Sequence, residues 1–358
     1  MKKQITLLCL AVLLVLSGCC STPKVKNVIY IIGDGMGHAD LSLLVREQQS
    51  PSDQKPAVKT ASFEKAQAVG LVKTYSANAE ITDSAAGGTA LSTGKKTNND
   101  MVGLSPGGDT LTSVLVEAQK LGKKTGIVVS CYFIDATPAA FFAHAPSRKD
   151  VWEISRQFVD SDIDLLFGGG MDVLTTRPDS VSLIPALEEK GYAVYSDWSE
   201  ALKSDAFKIV ALPKSGYVYE RPENYLPDGL IKATEVLSKE NDKGFFLMVE
   251  SSFIDGYGHR NQRDSLYEEM VDIDRTFQIA MDFADTHPGT LVIMTADHET
   301  GGVTLTYNGI EFSTKGHTAT MVPLFAYGQG AEYFGKVMDN TEVPKIIERL
   351  MRGQRIEQ

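Results

Sequence analysis

The stretch NVIYIIGDGMG, residues 27–37, indicates the fold class most directly. Its apolar run at residues 28–32 predicts a buried β-strand, and the glycine-rich sequence after it predicts a turn at the strand end. Similar runs predict five more strands, at residues 126–130, 164–167, 245–249, 290–295 and 323–327. Helical patterns lie between these runs, so we expect an α/β fold with a largely parallel central sheet flanked by helices on both faces.

One helix and one irregular region complete this expectation. Residues 265–285 carry Met270, Phe277 and Met281 at helical spacing, so they predict an amphipathic helix, which the HPG sequence at residues 287–289 ends. Residues 190–227 are richer in Tyr, Pro and Lys and have weaker periodicity. We expect this region to cover the edge of the sheet or to line a cleft.

The N-terminal sequence predicts export and lipid anchoring. Two lysines precede a short apolar run that ends in Leu16-Ser17-Gly18-Cys19, which resembles a bacterial lipobox. We expect residues 1–18 to be a lipoprotein signal peptide, residues 19–26 a tether lipidated at Cys19, and residues 27–358 a single folded domain. The protein would then be a membrane lipoprotein of the cell envelope that faces the periplasm or the outer surface. An ordinary signal peptide with incidental cysteines is the alternative.

Charge and cysteine content limit the possible partners. The 358 residues carry a formal net charge of -11, and the pI is near 5.1. Because nucleic acids are bound by clustered Lys and Arg side chains, we expect no nucleic-acid-binding surface. Cys20 lies in the predicted tether and Cys131 at a probable strand end, so we expect no disulfide framework.

Asp34 lies between two glycines directly after the first predicted strand. A dinucleotide-binding loop would need a glycine where the chain has His38, so that interpretation fails. Small neighbours would allow a carboxylate to lie in a crowded position, as a bridging metal ligand does. An ordinary Gly-Asp-Gly turn is the alternative.

Ser84 begins a run of small residues in the sequence TDSAAGGTA, residues 82–90. This pattern predicts a helix start at which the positive end of the helix dipole favours a bound phosphate or oxyanion. Simple capping by Asp83 or Ser84 is the alternative. The GKK sequence at residues 94–96 lacks the other residues of a P-loop. The STGK sequence at residues 92–95 matches acyl-serine enzymes, but their Ser-Asp-Asn element is missing between it and the later KTG sequence.

A third set of residues has the chemistry of metal ligands. Asp255 and His259 are four residues apart, so one helical turn would direct both side chains toward one cation. A buried, hydrogen-bonded Asp–His pair is the alternative. Asp297, His298 and His317 add a carboxylate and two imidazoles in predicted loops.

Three of the candidate carboxylates, Asp34, Glu250 and Asp297, follow the ends of predicted strands. Open α/β sheets place ligand sites beyond the carboxyl ends of their strands, so we expect these side chains to meet at one edge. The remaining histidines are expected to be structural or exposed: His38, His144 and His287.

Taken in order, these motifs resemble those of the alkaline phosphatase family. The resemblance extends from about residue 27 to residue 327, and the shared order of many short motifs is more specific than any one of them. The matching residues are Asp34 in Gly-Asp-Gly, Asp83-Ser84-Ala85, Asp135-Ala136-Thr137-Pro138, Arg148, Glu250 with Asp255 and His259, Asp297-His298, and His317. On this resemblance, residues 27–358 would form a single alkaline-phosphatase-like catalytic domain.

The resemblance implies two zinc ions and one magnesium ion as cofactors. The implied ligands are Asp255, His259 and His317 for the first zinc, Asp34, Asp297 and His298 for the second, and Asp34, Thr137 and Glu250 for magnesium, with Asp135 holding a water molecule of the magnesium site. Histidine and carboxylate groups suit zinc, and oxygen ligands suit magnesium.

The resemblance also implies the reaction, which is hydrolysis of phosphate monoesters through a phosphoserine on Ser84. Arg148 would bind two phosphate oxygens with its guanidinium group, and a plain surface charge is the alternative. Two features depart from the family. Gly256 stands where relatives often have a basic residue, and the stretch between His298 and His317 is short, so family dimerisation is not implied.

Two other functions stay open from the sequence. A phosphodiesterase or a sulfatase-like relative would share the two-metal core, although the residues after Ser84 lack the Cys/Ser-x-Pro-x-Arg context of a formylglycine sulfatase. A catalytically silent lipoprotein that binds metal or a partner is the other alternative.

Overall fold

The computed structural model describes residues 24–49, 60–213, 224–307 and 309–356. The predicted signal peptide and the predicted lipidation site, Cys19, lie outside these residues. Within them, no helix is both long and apolar enough to cross a bilayer. Val25, near the start of the described chain, is buried, and its N–H donates to the Leu350 carbonyl.

The described residues form a ten-stranded central sheet with the strand order β14-β2-β13-β8-β1-β7-β3-β4-β6-β5. Its strands are β1 (Asn27–Gly33), β2 (Ala68–Lys73), β3 (Lys124–Tyr132), β4 (Leu165–Gly169), β5 (Ala193–Tyr195), β6 (Ile209–Ala211), β7 (Phe245–Ser251), β8 (Thr290–Thr295), β13 (Val322–Gly328) and β14 (Val337–Asp339). All neighbouring pairs are parallel except those that β13 makes with β2 and β8. The expected α/β fold with a largely parallel sheet is confirmed.

Four short strands lie outside the central sheet, between β8 and β13. They are β9 (Glu299–Thr300), β10 (Val303–Thr306), β11 (Gly309–Phe312) and β12 (His317–Thr318). β10 and β11 form an antiparallel hairpin, and β12 pairs with β9 so that His317 lies opposite Thr300. This pairing returns the chain to the end of β8.

Helices cover the central sheet on both faces. They are α1 (His38–Gln49), α2 (Ser84–Thr93), α3 (Val114–Lys120), α4 (Ala136–Ala139), α5 (Val151–Val159), α6 (Met171–Thr175), α7 (Ile184–Glu189), α8 (Trp198–Lys203), α9 (Tyr225–Ser238), α10 (Phe253–Arg260), α11 (Arg263–Thr286) and α12 (Glu342–Arg352). α9 and α11 pack together and contact β3, β7 and β8, whereas α3 contacts β3 and β7 from the other side and packs against α12.

The sequence predicted the central elements better than the peripheral ones. All six predicted strands are present, and the predicted helix is α11, which ends at Thr286 before the HPG sequence. Residues 190–227 were expected at the sheet edge or in the cleft; the described part contributes the edge strand β5 and its neighbour β6. The strands β2 and β14, at the other side of the sheet, were not predicted.

The middle of the sheet is the centre of the core. Every residue of β1, β7 and β8 is buried. The Tyr30 ring is fully buried and meets Phe141 and Phe246 edge-on, at centroid distances of 6.1 and 6.4 Å. Cys131, in the last part of β3, is a free and buried thiol. Loops that leave these central strands are therefore attached to the most completely packed part of the molecule.

Candidate active site

The candidate ligands meet at one edge of the sheet, as expected. β1 pairs in parallel with both β7 and β8, so the carboxyl ends of these three strands lie side by side. Asp34 follows β1 directly, Glu250 is the penultimate residue of β7, and Asp297 lies two residues after β8. Two backbone hydrogen bonds join the loops: Asp34 N–H donates to Ser251 O at 3.0 Å, and Asp255 N–H donates to Asp34 O at 2.8 Å.

The crowding inferred around Asp34 is present. Gly35 has φ +80°, and a Cβ added there would lie 2.7 Å from Cα of Asp255. Both the left-handed conformation and the close approach therefore require glycine at this position. This contact brings the start of α10 against the end of β1.

Asp255, His259 and His317 form a first cluster of ligand atoms. Asp255 Oδ1 lies 3.2 Å from His259 Nε2 and 3.4 Å from His317 Nε2, and the two nitrogens are 3.2 Å apart. Ligand atoms about 2.0–2.1 Å from a tetrahedrally bound zinc would be about 3.3–3.4 Å apart. The predicted helical turn is α10, and the spacing of the three atoms suits one zinc ion.

Backbone carbonyls orient the imidazoles of this cluster. His259 Nδ1 lies 2.5 Å from Lys315 O, and His317 Nδ1 lies 2.9 Å from Thr82 O. Contacts of this kind hold Nδ1 as the protonated nitrogen and leave Nε2 free to bind a metal. Thr300 adds a hydrogen bond of 2.6 Å from its hydroxyl to Asp255 Oδ1. Sequence reasoning missed these partners, because backbone carbonyls and a lone threonine carry no sequence signal.

Asp34, Asp297 and His298 form a second cluster, and all three side chains are buried. His298 Nε2 is 3.5 Å from Asp34 Oδ1 and 3.2 Å from Asp297 Oδ2. The other oxygen of Asp297 accepts hydrogen bonds from the N–H groups of Gly35 and His298, at 3.2 and 2.9 Å. The loop therefore holds one carboxylate oxygen and leaves the second directed at its neighbours.

Glu250 and Thr137 are the candidate ligands of the third position. Both are 1% exposed. Thr137 is on the short helix α4, after Asp135, and its hydroxyl accepts or donates no hydrogen bond in the described structure. The Cys131 thiol lies 3.6 Å from Glu250 Oε2. Sequence reasoning did not connect Cys131 with this position, which depends on the pairing of β3 with β7.

Ser84 is the first residue of α2, as predicted. Asp83 is the N-cap, and its Oδ1 accepts the Ala86 N–H at 2.9 Å. The helix start and capping by Asp83 are thus confirmed, and the binding of phosphate or an oxyanion at this helix start stays a prediction. Ser84 is 4% exposed, and its Oγ lies 3.2 Å from His298 Nε2. The nucleophile candidate therefore contacts the second cluster directly.

Close packing of α2 makes this contact possible. A Cβ added at Gly88 would lie 2.9 Å from Cα of Thr137. The small residues that follow Ser84 in the sequence therefore allow α2 to approach α4, which carries the third position. A larger residue here would push the nucleophile helix away from the ligand clusters.

Arg148 lies beside the helix start. Its Nη2 donates to Asp135 Oδ1 at 2.6 Å, and its Nη1 is 3.9 Å from Asp83 Oδ2. The guanidinium group is only partly buried, with 29% of the side chain exposed, so an anion from solvent can reach it. Burial lowers the pKa of Arg148, but the carboxylates of Asp135, Asp34 and Asp83 outweigh burial and raise this pKa above its usual value, so that the side chain stays charged.

Burial and the neighbouring charged groups shift the pKa values of the cluster carboxylates. Burial, reinforced by neighbouring carboxylates, raises the pKa values of Asp34 and Glu250 well above their usual range. Burial also raises the pKa of Asp297 to about 7. Asp255 is the exception: burial raises its pKa, but hydrogen bonds from His259 and His317 outweigh burial and hold it well below its usual range.

Unpartnered oxygen atoms test whether cations fit these positions. Asp34 Oδ1, Asp297 Oδ2 and Thr137 Oγ1 are buried and make no hydrogen bond. Buried polar atoms normally have partners, because desolvation without a partner is costly. Three such oxygens around one edge, together with His298 and the first cluster, are a donor set that suits divalent cations.

The histidines expected to be structural lie elsewhere. His144 contacts Leu111 O at 2.9 Å, and the His287 ring stacks on Phe283 at 3.9 Å. His38 begins α1. Gly256 is on α10, one residue after Asp255, and contributes no side chain that could contact a substrate.

The chain is similar to known phosphatases in sequence. Residues 25–312 match the family model described as alkaline phosphatase. Alkaline phosphatase 4 of Bacillus subtilis (strain 168) is 34% identical over 299 residues, 80% of this chain and 64% of that protein. Alkaline phosphatase 3 of the same organism is 34% identical over 340 residues, 91% of this chain and 71% of that protein. The chain thus spans about two thirds of the length of these relatives.

Solved structures agree with the sequence comparison. Alkaline phosphatase from the Antarctic bacterium TAB5 has a TM-score of 0.82 and 33% sequence identity, over 93% of this chain and 100% of that one. A variant of the TAB5 enzyme with Mg bound in its M3 site has a TM-score of 0.83 and 32% identity over the same shares. The matched family model covers most of the chain, and the chain therefore belongs to the alkaline phosphatase family.

Proposed function

We propose that this protein is a metal-dependent phosphomonoesterase, an alkaline phosphatase, which hydrolyses small phosphate monoesters through a phosphoserine on Ser84. The observation that carries the proposal is the position of Ser84. Its hydroxyl lies at the start of α2, 3.2 Å from His298 of the second ligand cluster, with the Arg148 guanidinium on the neighbouring segment. Nucleophile, cation ligands and anion-binding group thus meet at one edge of the sheet.

The ligand clusters support two zinc ions and one magnesium ion. Asp255, His259 and His317 would bind the first zinc, and Asp34, Asp297 and His298 the second; their mix of nitrogen and oxygen donors suits zinc. Asp34, Glu250 and Thr137 would bind magnesium through oxygen alone, with Asp135 beside them. The structure of a TAB5 variant with Mg bound in its M3 site supports the proposed magnesium position.

When bound, the cations would lower the pKa of coordinated hydroxyl groups and stabilise negative charge on the departing oxygen. His298 faces Ser84 through Nε2, the same nitrogen that belongs to the second cluster. An imidazole that binds a cation through Nε2 cannot also accept a proton there, so His298 is a ligand and not the general base. Ser84 is therefore activated through the cluster rather than by a dedicated histidine.

The reaction would proceed in two displacements at phosphorus. Ser84 Oγ forms a bond to phosphorus as the bond to the leaving alcohol breaks, and water then cleaves the Ser84 ester and releases inorganic phosphate. Arg148 would donate two hydrogen bonds to phosphate oxygens in both steps. The positive end of α2 favours the same anion. The chain thus supplies the nucleophile and holds the transferred group.

We also propose that Cys19 is acylated and anchors the protein to a membrane of the cell envelope. The lipobox-like sequence supports this proposal. Replacement Cys19→Ser should move the protein from the detergent phase to the aqueous phase in phase partitioning and leave its specific activity unchanged. Equal partitioning of parent and variant into detergent would refute the anchor.

Hydrolysis of p-nitrophenyl phosphate tests the proposed function. The mature domain is assayed with zinc and magnesium, after removal of both, and as the Ser84→Ala variant. We expect turnover that requires the metals and is lost in the variant. Ser92→Ala, on the same helix but bonded to the Ala140 carbonyl away from the clusters, is the matched control and should stay active. No turnover by the metal-loaded parent, with bound metals verified, would refute the proposal.

A further inference from the structure

A tight turn at residues 98–101 lies between the nucleophile helix and the Arg148 segment. The Met101 N–H donates to Asn98 O at 3.2 Å, and Asp100, the third residue of the turn, has φ +76°. This left-handed conformation is the one that a type II turn requires at its third position, and it disfavours residues other than glycine. The surrounding contacts therefore hold the 98–101 turn against a local preference.

The backbone of Asp100 connects the two functional segments. Its N–H donates to Asp83 Oδ2 at 2.9 Å, and its carbonyl accepts the Arg148 N–H at 2.7 Å. Asp83 is the N-cap of α2 and directly precedes Ser84. One residue of the turn thus bonds to the cap of the nucleophile helix on one side and to the main chain of Arg148 on the other.

The side chain of Asn99 fixes the approach to the same helix. Its Oδ1 accepts the Asp83 N–H at 3.2 Å, and its Nδ2 donates to Ile81 O at 3.1 Å. The Asn99 backbone N–H in turn donates to Asn78 Oδ1 at 2.9 Å. The Asn99 amide thus bonds to the cap residue Asp83 through its oxygen and to Ile81, two residues before the cap, through its nitrogen.

Direct contact between Asp83 and Arg148 is weaker than these bonds. Arg148 Nη1 and Asp83 Oδ2 are 3.9 Å apart, which is too long for a hydrogen bond. The separation of Ser84 and Arg148 is therefore set by the 98–101 turn more than by an ion pair. A guanidinium fork binds two phosphate oxygens only when its main chain is correctly placed.

We propose that Asn99 and the backbone of Asp100 are positioning residues that hold Ser84 and Arg148 at the spacing that phosphate requires. This inference rests on the proposed function, since phosphate is the ligand in both. Asn99 touches no reacting atom; it acts through Asp83 and through the turn on Arg148. The affinity for inorganic phosphate is therefore the property that it controls.

Calorimetric titration of the zinc- and magnesium-loaded protein with inorganic phosphate tests this role without turnover. Asn99→Ala should weaken phosphate binding roughly fivefold to tenfold, the effect of one or two lost hydrogen bonds. Asn241→Ala is the matched control. Asn241 is also half-buried and donates to two carbonyls, those of Leu237 and Gly244. It precedes β7, however, and so lies at the amino ends of the strands, whereas the site lies at their carboxyl ends. The control should lose stability and keep its phosphate affinity.

A double-mutant cycle with Arg148→Ala decides whether Asn99 acts through Arg148. In the Arg148→Ala background, the further loss from Asn99→Ala should shrink to about twofold or less, because the positioned group is already missing. An unchanged phosphate affinity in Asn99→Ala, or the same loss of affinity in both backgrounds, would overturn the positioning role. The proposed function would still stand if the parent binds phosphate and hydrolyses p-nitrophenyl phosphate. A metal-loaded parent that neither binds phosphate nor hydrolyses p-nitrophenyl phosphate would overturn both.

Discussion

The site has a cation side, formed by the metal-ligand candidates, and an anion side, formed by Arg148 and its neighbours, and the two differ in whether their polar atoms have partners. On the cation side, oxygens of Asp34, Asp297 and Thr137 are buried without hydrogen bonds. On the anion side, Arg148 is partly exposed and already bonded to Asp135, and its main chain is held by Asp100. The cation side is therefore complete only with metal, whereas the anion side is assembled by the chain alone. Loss of metal should affect folding as well as catalysis, whereas loss of Arg148 should affect phosphate binding and catalysis but neither folding nor metal binding.

Replacement of a cluster carboxylate should have the largest effect. Asp297→Asn keeps the shape and an acceptor for Gly35 and His298 but removes the negative charge. We expect metal binding at the second cluster to fail and kcat/KM to fall by about a thousandfold or more, as expected when several kcal/mol of metal stabilisation are lost. Metal content by mass spectrometry and p-nitrophenyl phosphate kinetics measure this change.

The control for that variant is Asp274→Asn. Asp274 is also buried, but it lies on α11, away from the site. It accepts hydrogen bonds from the N–H and the hydroxyl of Ser62. It should keep its metals and its activity. Loss of metal from both variants to the same extent would show that any buried charge change disrupts the fold, and that the second cluster is not special.

Chelation should lower stability substantially. Metal that binds only the folded state at about a thousand times its Kd contributes about 4 kcal/mol, and for a chain of this size that is roughly 5–6 °C in Tm. Differential scanning calorimetry with and without chelator measures the shift. Asp297→Asn should show a smaller shift than the parent. An equal Tm for the parent in both conditions would mean that the unpartnered oxygens do not require a cation.

Truncation of the guanidinium should weaken phosphate binding and leave the metals in place. Arg148→Ala removes charge-assisted hydrogen bonds of about 1.5–3 kcal/mol, so kcat/KM should fall roughly 10-fold to 150-fold. Arg148→Lys should restore only part of this, because lysine lacks the planar fork. The matched control is Arg156→Ala, which removes an exposed arginine paired with Glu153. Steady-state kinetics indistinguishable from this control would make Arg148 a plain surface charge.

A smaller effect is expected at the third position, that of Glu250 and Thr137, which should determine the preference between phosphate monoesters and diesters. A monoester carries about two negative charges and a diester about one, so a cation held by Glu250 and Thr137 favours the monoester. Glu250→Ala should lose roughly tenfold more activity toward p-nitrophenyl phosphate than toward bis-p-nitrophenyl phosphate, as for one lost interaction of about 1.4 kcal/mol. Parallel kinetics with both substrates measure the ratio. A parent that prefers the diester, or equal losses, would assign selectivity to other residues.

The sequence predicted the cation side more fully than the anion side. The apolar runs predicted β1, β7 and β8, so the sequence alone placed the carboxylates that follow them at one edge of the sheet. The Asp255–His259 spacing likewise predicted a helical turn, which is α10. These features depend on local pattern, and local pattern is visible in a single sequence.

The contacts that orient the site were not predictable in the same way. His317 is oriented by Thr82 O at a sequence separation of 235 residues, and the Arg148 main chain by Asp100 O at a separation of 48 residues. Every residue has a backbone carbonyl, so neither composition nor residue spacing indicates which carbonyl will orient a site residue. The edge strand β14 was missed for a related reason: it has three residues, and only its pairing with β2 in the folded sheet stabilises it.

Covalent trapping of the phosphoryl group tests the central claim most directly. The metal-loaded protein is mixed with a labelled phosphate monoester, quenched in acid within one turnover, digested, and mapped by mass spectrometry. Because Ser84 Oγ is the proposed nucleophile and contacts His298 of the second cluster, the label should be found on Ser84 and should be absent in Ser84→Ala. Label on another residue, or complete hydrolysis by Ser84→Ala at the parent rate, would contradict the account.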